Sequence, residues 1–167
     1  MINLKNRADV VLRRISKEDF LNINRINIKD VERIVRNELF EGMERKDADT
    51  IDSAMLLGFL YNAFPDNVND VWCELIIANW HYMHEDIAML LKDIKSPDTV
   101  DCSYKATELQ FNYLDYDDTY QFARKCIKAI SEIGDKNAIS KLWLLSESKN
   151  AIIAEYAKKE LRYKELL

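Results

Sequence analysis

The chain has two histidines, His81 and His84, three residues apart and followed directly by Glu85 and Asp86. His81 and Glu85 stand one helical turn apart, a spacing at which two side chains of one helix can ligate a metal ion. The order H-x-x-H-E matches neither H-E-x-x-H nor H-x-x-E-H. Glu85 and Asp86 also suit the start of a helix, where acids meet the positive end of the dipole. Helix capping and surface contact therefore outrank metal binding here. No G-x-S-x-G elbow and no Gly-rich phosphate loop occurs. The residues thus assign no catalytic group, no cofactor and no metal, and the expectation is a protein that is not an enzyme.

The second constellation is Asn112-Tyr113-Leu114-Asp115-Tyr116-Asp117-Asp118-Thr119-Tyr120. Tyr113, Tyr116 and Tyr120 alternate with Asp115, Asp117 and Asp118. Tyrosine offers a large contact area at low entropic cost, and carboxylates pair with Arg or Lys. Such a mixture fits a contact patch for a basic protein. The competing reading is a polar connection whose tyrosines pack beneath neighbouring helices. Trp80, Tyr82, Glu85 and Asp86 extend the candidate partner-binding set. Trp72, Trp80 and Trp143 lie on or beside apolar stripes and are expected in the core, with Trp80 also able to reach the surface. The run from Lys158 to Lys164 reads as a solvated helix face.

These residues must be positioned by helices. The 167-residue chain is 48% apolar, enough to fill a core, yet holds only 3 glycines and 2 prolines. A sheet protein needs more turn residues than that. Apolar residues recur at helical spacing in Val31, Ile34, Val35 and Leu39, in Ala54, Leu57, Gly58 and Tyr61, and in Val68, Val71, Trp72, Leu75 and Ile76. Helices are expected over 3–14, 17–22, 28–44, 50–63, 68–81, 84–95, 97–110, 119–133, 136–146 and 149–163. Phe64-Pro65-Asp66-Asn67 interrupts them. Ser96-Pro97 reads as a helix start, Asp118 with Gln121 as a capping box, Gly134 as a left-handed stop and Asp135 as the next cap. Trp72, Leu75, Ile87, Leu91, Ile130 and Leu142 are the expected core.

No N-terminal apolar run that would mark a signal peptide is seen, and the apolar stretches near Met55 and Leu75 are too short to span a bilayer. Cys73, Cys102 and Cys126 are odd in number and form no C-x-x-C, which favours buried thiols in a reducing cytoplasm over a disulfide framework.

The net charge of -5 is unevenly spread. Residues 1–36 carry nine Lys/Arg against five Asp/Glu, residues 37–121 five against eighteen, and residues 122–167 ten against six. An acidic middle attracts a basic partner and repels nucleic acid.

At an offset of 39 residues, Ile87 matches Cys126, Leu90 matches Ala129, Leu91 matches Ile130, Ile94 matches Ile133, Asp98 matches Asn137, Val100 matches Ile139 and Ala106 matches Leu145. A two-helix unit of this period lies in the range of HEAT repeats, which bury their apolar faces by stacking. The expected fold class is all-α, with about eight to ten helices in stacked antiparallel pairs of a HEAT-like α-solenoid. One domain is expected over 1–167, with 1–48 a helical cap or added element and 50–163 the paired helices.

Trp80-His81-Tyr82-Met83-His84-Glu85-Asp86-Ile87 with the Ser96-Pro97-Asp98 turn resembles bacterial HEAT-like proteins encoded alone. Tyr116-Asp117-Asp118-Thr119-Tyr120, Ala123-Arg124-Lys125-Cys126, Ile133-Gly134 and Ile153-Ala154-Glu155-Tyr156-Ala157 carry the same resemblance, which spans residues 80–163. Many such proteins resemble immunity proteins of polymorphic toxin and contact-dependent inhibition systems. The resemblance implies a cytoplasmic protein that neutralises a cognate toxin, such as a basic nuclease, by covering its active site or substrate groove, with no nucleic-acid or membrane partner. The alternatives are a general HEAT-like scaffold or adaptor and, third, a metal-binding helical protein or enzyme using His81, His84 and Glu85.

Overall fold

A computed structural model of the chain describes residues 4–114 and 118–167. The described residues form ten α-helices and three short 3-10 turns, with no strand, so the fold is all-α. None of these helices is long and apolar enough to cross a membrane. The chain divides into two compact units, residues 1–68 and 69–167.

The first unit holds α1 (Arg7–Val11), α2 (Lys17–Asn24), α3 (Val31–Arg45) and α4 (Ala48–Tyr61). The helix expected over 3–14 is only five residues long, because Asn6 and Arg13 on either side of it are left-handed. α3 and α4 pack together as a hairpin that closes at Lys46, left-handed at φ 52°, and Asp47, whose side chain caps α4 by accepting from the Asp49 and Thr50 amides. α4 thus belongs with α3 in the first unit.

Gly58 on α4 is required by close packing. A Cβ there would lie 2.2 Å from the Phe64 ring, which itself meets Phe59 edge-on at 4.9 Å. Gly58→Ala should therefore destabilise the protein by about 1–2 kcal/mol, an overpacking cost of about 1–3 kcal/mol less the helix propensity gained. A denaturant titration checks this, and a more stable variant would contradict the packing account.

The second unit holds α5 (Asn69–Leu75), α6 (His84–Ile94), α7 (Val100–Ala106), α8 (Gln121–Ile133), α9 (Lys136–Ser146) and α10 (Ala151–Tyr163). The helix over 97–110 is shorter than its pattern: Pro97–Thr99 is a 3-10 turn and α7 ends at Ala106. Ser96 is extended before Pro97, but its hydroxyl caps nothing and instead accepts from Asn69 Nδ2 at 2.9 Å. Gly134, at φ 68°, ends α8, and Asp135 caps α9 by accepting from the Ala138 amide at 2.7 Å, both as expected.

α8 packs against α6, α7, α9 and α10, and α7 also meets α9. Ile87, Leu90, Leu91 and Ala106 are buried, and so are Cys126, Ala129, Ile130 and Leu145, their counterparts 39 residues on. Ion pairs join the same elements: Lys125 with Glu85 at 3.1 Å, Lys141 with Asp101 at 3.0 Å and Lys128 with Glu160 at 3.1 Å. Trp72, Leu75, Ile87, Leu91, Ile130 and Leu142 are all buried. Trp143 is a correction: it is 40% exposed, because its neighbour Leu142 takes the inward position of α9.

The cysteines depart further from expectation. Cys73 on α5 and Cys102 on α7 form a disulfide, with their Cα atoms 5.3 Å apart, and only Cys126 is a buried thiol. Neither cysteine had a local signal, because the pairing arises from helices that meet across a sequence separation of 29.

Candidate functional site

α5 stops at Leu75, well short of the residue 81 that its pattern allows, and the histidines account for the stop. The chain folds back so that His81 Nε2–H donates to the Leu75 carbonyl at 2.7 Å and His84 Nε2–H to the Ala78 carbonyl at 2.6 Å. Carbonyls left open at a helix end need such donors. With Nε2 protonated, each Nδ1 must accept. His81 Nδ1 takes the Met83 amide at 3.0 Å, and His84 Nδ1 takes the Tyr113 hydroxyl at 2.8 Å.

The rings build a column. His81 stacks on His84 at 4.2 Å, and His84 stacks on Phe111 at 3.7 Å. Trp80, half-buried, meets His81 edge-on at 5.1 Å. Both histidines are buried, and burial holds their pKa values below the ordinary 6.5. For His84 the fall reaches about 4, through burial first and the neighbouring His81 second, against the Ala78 carbonyl, which raises it. All four ring nitrogens have a hydrogen-bond partner within the fold. Glu85 turns to Lys125. Among the described residues no group of three His, Cys, Asp or Glu side chains converges on a metal position.

This column carries two further rings, half-buried Tyr113 and exposed Tyr82. Tyr113 is anchored by its hydroxyl on buried His84, and Tyr82 stands edge-on to Tyr113 at 5.3 Å while remaining 64% exposed. Beside them lies a depression of about 610 Å³ that includes Asn79, Gln110 and Asn112. A second depression, of about 410 Å³, shares Gln110 and Phe111 with the first and adds Leu114, Asp118 and Tyr120. The approach to α8 is held by Tyr156, whose hydroxyl donates to the Thr119 carbonyl at 2.7 Å.

Of the expected partner-binding residues, the structure thus gathers Tyr82 and Tyr113 at one depression and Asp118 and Tyr120 at the adjoining one. Tyr120 is half-buried and packs against the core around Ala123 and Ile127, so it serves as a wall rather than a projecting anchor. The expected capping box is absent: Tyr120, left-handed at φ 53°, precedes α8, and Gln121 donates to the Thr119 hydroxyl instead. Asp86 is exposed at the first turn of α6, and Glu85 is engaged by Lys125. Asp115, Tyr116 and Asp117 lie outside the described residues. Gln110, Phe111 and Leu114 are site residues that sequence reasoning missed. Phe111 and Leu114 flank Tyr113, and their apolar character beside the tyrosine segment was the available signal.

One exposed ring, Tyr82, thus rests on half-buried Tyr113, with Asp86 and Asp118 exposed on the same all-α unit. No protein-family model, curated protein or solved structure matches this chain.

Proposed function

We propose that this chain is an immunity protein that binds a basic toxin domain, such as a nuclease, and covers its active site or substrate groove. The observation that carries the reading is Tyr82, largely exposed yet ordered against Tyr113, which is itself tied to buried His84. An aromatic side chain ordered before binding loses little entropy on association. Asp86 and Asp118 add negative charge on the same unit, and the sequence between residues 37 and 121 is strongly acidic. Such charge speeds capture of a basic partner. The repeat at 39 residues, buried at matching positions, supports HEAT-like stacked pairs as the scaffold. The reading places the protein in the cytoplasm, where Cys73 and Cys102 would stand reduced.

Co-expression with the product of the neighbouring gene tests this. A stable complex that rescues growth from the toxin is expected, and absence of any adjacent toxin and any co-purifying partner would end the proposal. Within that complex Tyr82→Ala should raise the dissociation rate by about tenfold or more, as loss of an aromatic anchor does. Asp118→Lys should slow association, most clearly at low salt. Parental rates in both variants would place the interface elsewhere.

A further inference from the structure

The first unit carries a groove with a different chemistry. It has a volume of about 770 Å³ and runs between the α1–α2 turn and the C-terminal half of α4. Val11, Ile15, Leu56 and Phe59 supply apolar walls, and Val11 and Phe59 are 59% and 44% exposed. Arg13, Arg14 and Lys17 also line it, and no acidic residue does. Monomeric surfaces seldom leave clustered apolar side chains open to water without a use for them.

The groove is held in shape by its frame. The Asp9 carbonyl accepts from the amides of Arg14 and Ile15, at 2.8 and 3.4 Å, which fixes the turn after α1. Ser16 caps α2 by accepting from the Asp19 amide at 3.0 Å. Lys17 Nζ donates to the Leu60 carbonyl, and the Tyr61 hydroxyl donates to the Lys17 carbonyl at 2.7 Å, tying the start of α2 to the end of α4. Arg14 faces Asp9 at 3.5 Å, but Arg14 is largely solvated, so the attraction between them is weak. Lys17 meets only a carbonyl, which leaves its positive charge uncancelled.

From this we infer that the groove docks an acidic amphipathic helix of a partner protein, its apolar face against Val11 and Phe59 and its carboxylates on Arg13, Arg14 and Lys17. An apolar trough bounded by cations is the complement of a helix with apolar residues at i, i+3, i+4 and i+7 and acids beside them. A trough with apolar walls between flanking cations matches the cross-section of a single helix more closely than a bilayer surface. The inference does not rest on the toxin reading. It concerns the other unit and selects a partner segment of opposite charge.

The test uses the full chain and a fluorescent synthetic helix of about 16 residues, leucine on one face and glutamate on the other. Saturable binding that weakens as salt rises is expected. Val11→Asp, which puts a carboxylate on an exposed wall, should weaken it by about tenfold or more. Arg13→Asn removes a cation while keeping a residue that tolerates the left-handed backbone there, and should weaken binding several-fold with the melting curve unchanged. If Val11→Asp fails to fold, Arg13→Asn and the salt titration decide. No binding, or equal binding by parent and Arg13→Asn, would overturn the inference. So would binding of phosphatidylserine-containing vesicles that displaces the peptide, or concentration-dependent dimerisation of the chain that the peptide reverses.

Discussion

Reduction of the Cys73–Cys102 bond should destabilise the second unit by about 3–4 kcal/mol, the largest single effect expected in this protein. The bond closes a loop with sequence separation 29 between α5 and α7. Cross-linking a loop of this length removes that much chain entropy from the unfolded state. Trp72 and Leu75 beside Cys73, and Val100 and Ala106 around Cys102, are buried, so apolar packing also holds these helices. The native structure should therefore persist in reductant while its denaturation midpoint falls. The paired variant Cys73→Ser with Cys102→Ser should reproduce the loss, and added reductant should then have no further effect. Thiol counting by mass spectrometry supplies the second check. The denatured, unreduced protein should show one reactive thiol, Cys126, and the reduced protein all three. Native Cys126 should resist alkylation, because it is fully enclosed and burial pushes its thiol well up from the ordinary value. Three reactive thiols in unreduced protein, or equal midpoints with and without reductant, would show that the bond is not formed.

The second large effect is loss of stability on mild acidification. His84 is neutral in the fold, with its pKa lowered from 6.5 to about 4, and His81 is shifted in the same direction. A depressed histidine pKa means that the unfolded chain binds a proton that the folded chain refuses. Stability is therefore full above pH 6.5, falls as pH drops below it, and stops falling on this account near pH 4. His84 alone should contribute about 3 kcal/mol across that window, of which about 2 kcal/mol is lost between pH 6.5 and 5. Protonation has a structural cost that explains the sign. A proton on His84 would place a positive charge in a buried site, beside a second imidazole stacked at 4.2 Å. Carboxylates with lowered pKa values, such as Asp47 and Glu132, lose their contribution only at lower pH, so the upper window isolates the histidines. Urea titrations at several pH values between 7.5 and 4.5 measure the slope. His84→Gln should be less stable at neutral pH and show a shallower dependence. A parent whose stability is flat between pH 6.5 and 5 would contradict the buried neutral pair. Tyr82 rests on Tyr113, and Tyr113 on His84, so these rings should loosen over the same interval.

What the sequence determined by itself was whatever depends on near neighbours along the chain. Periodic apolar residues placed the helices and selected Trp72, Leu75, Ile87, Leu91, Ile130 and Leu142 for burial, because a helix turns every 3.6 residues whatever it later packs against. Gly134 and Asp135 marked a stop and a start for equally local reasons: a left-handed residue without a Cβ, and a carboxylate within reach of the amide three residues on. Tertiary structure decided the rest. It ended α5 early by turning His81 and His84 back onto the Leu75 and Ala78 carbonyls, and so converted two apparent surface histidines into buried caps. It brought Cys73 to Cys102 and left Trp143 at the surface, outcomes set by which helices meet. It also joined Tyr82 to Tyr113, and Val11 to Phe59, across stretches of chain that no periodicity links. Helix formation is legible in sequence because its hydrogen bonds reach only four residues, whereas a binding surface is assembled from residues whose proximity exists only once the helices have packed.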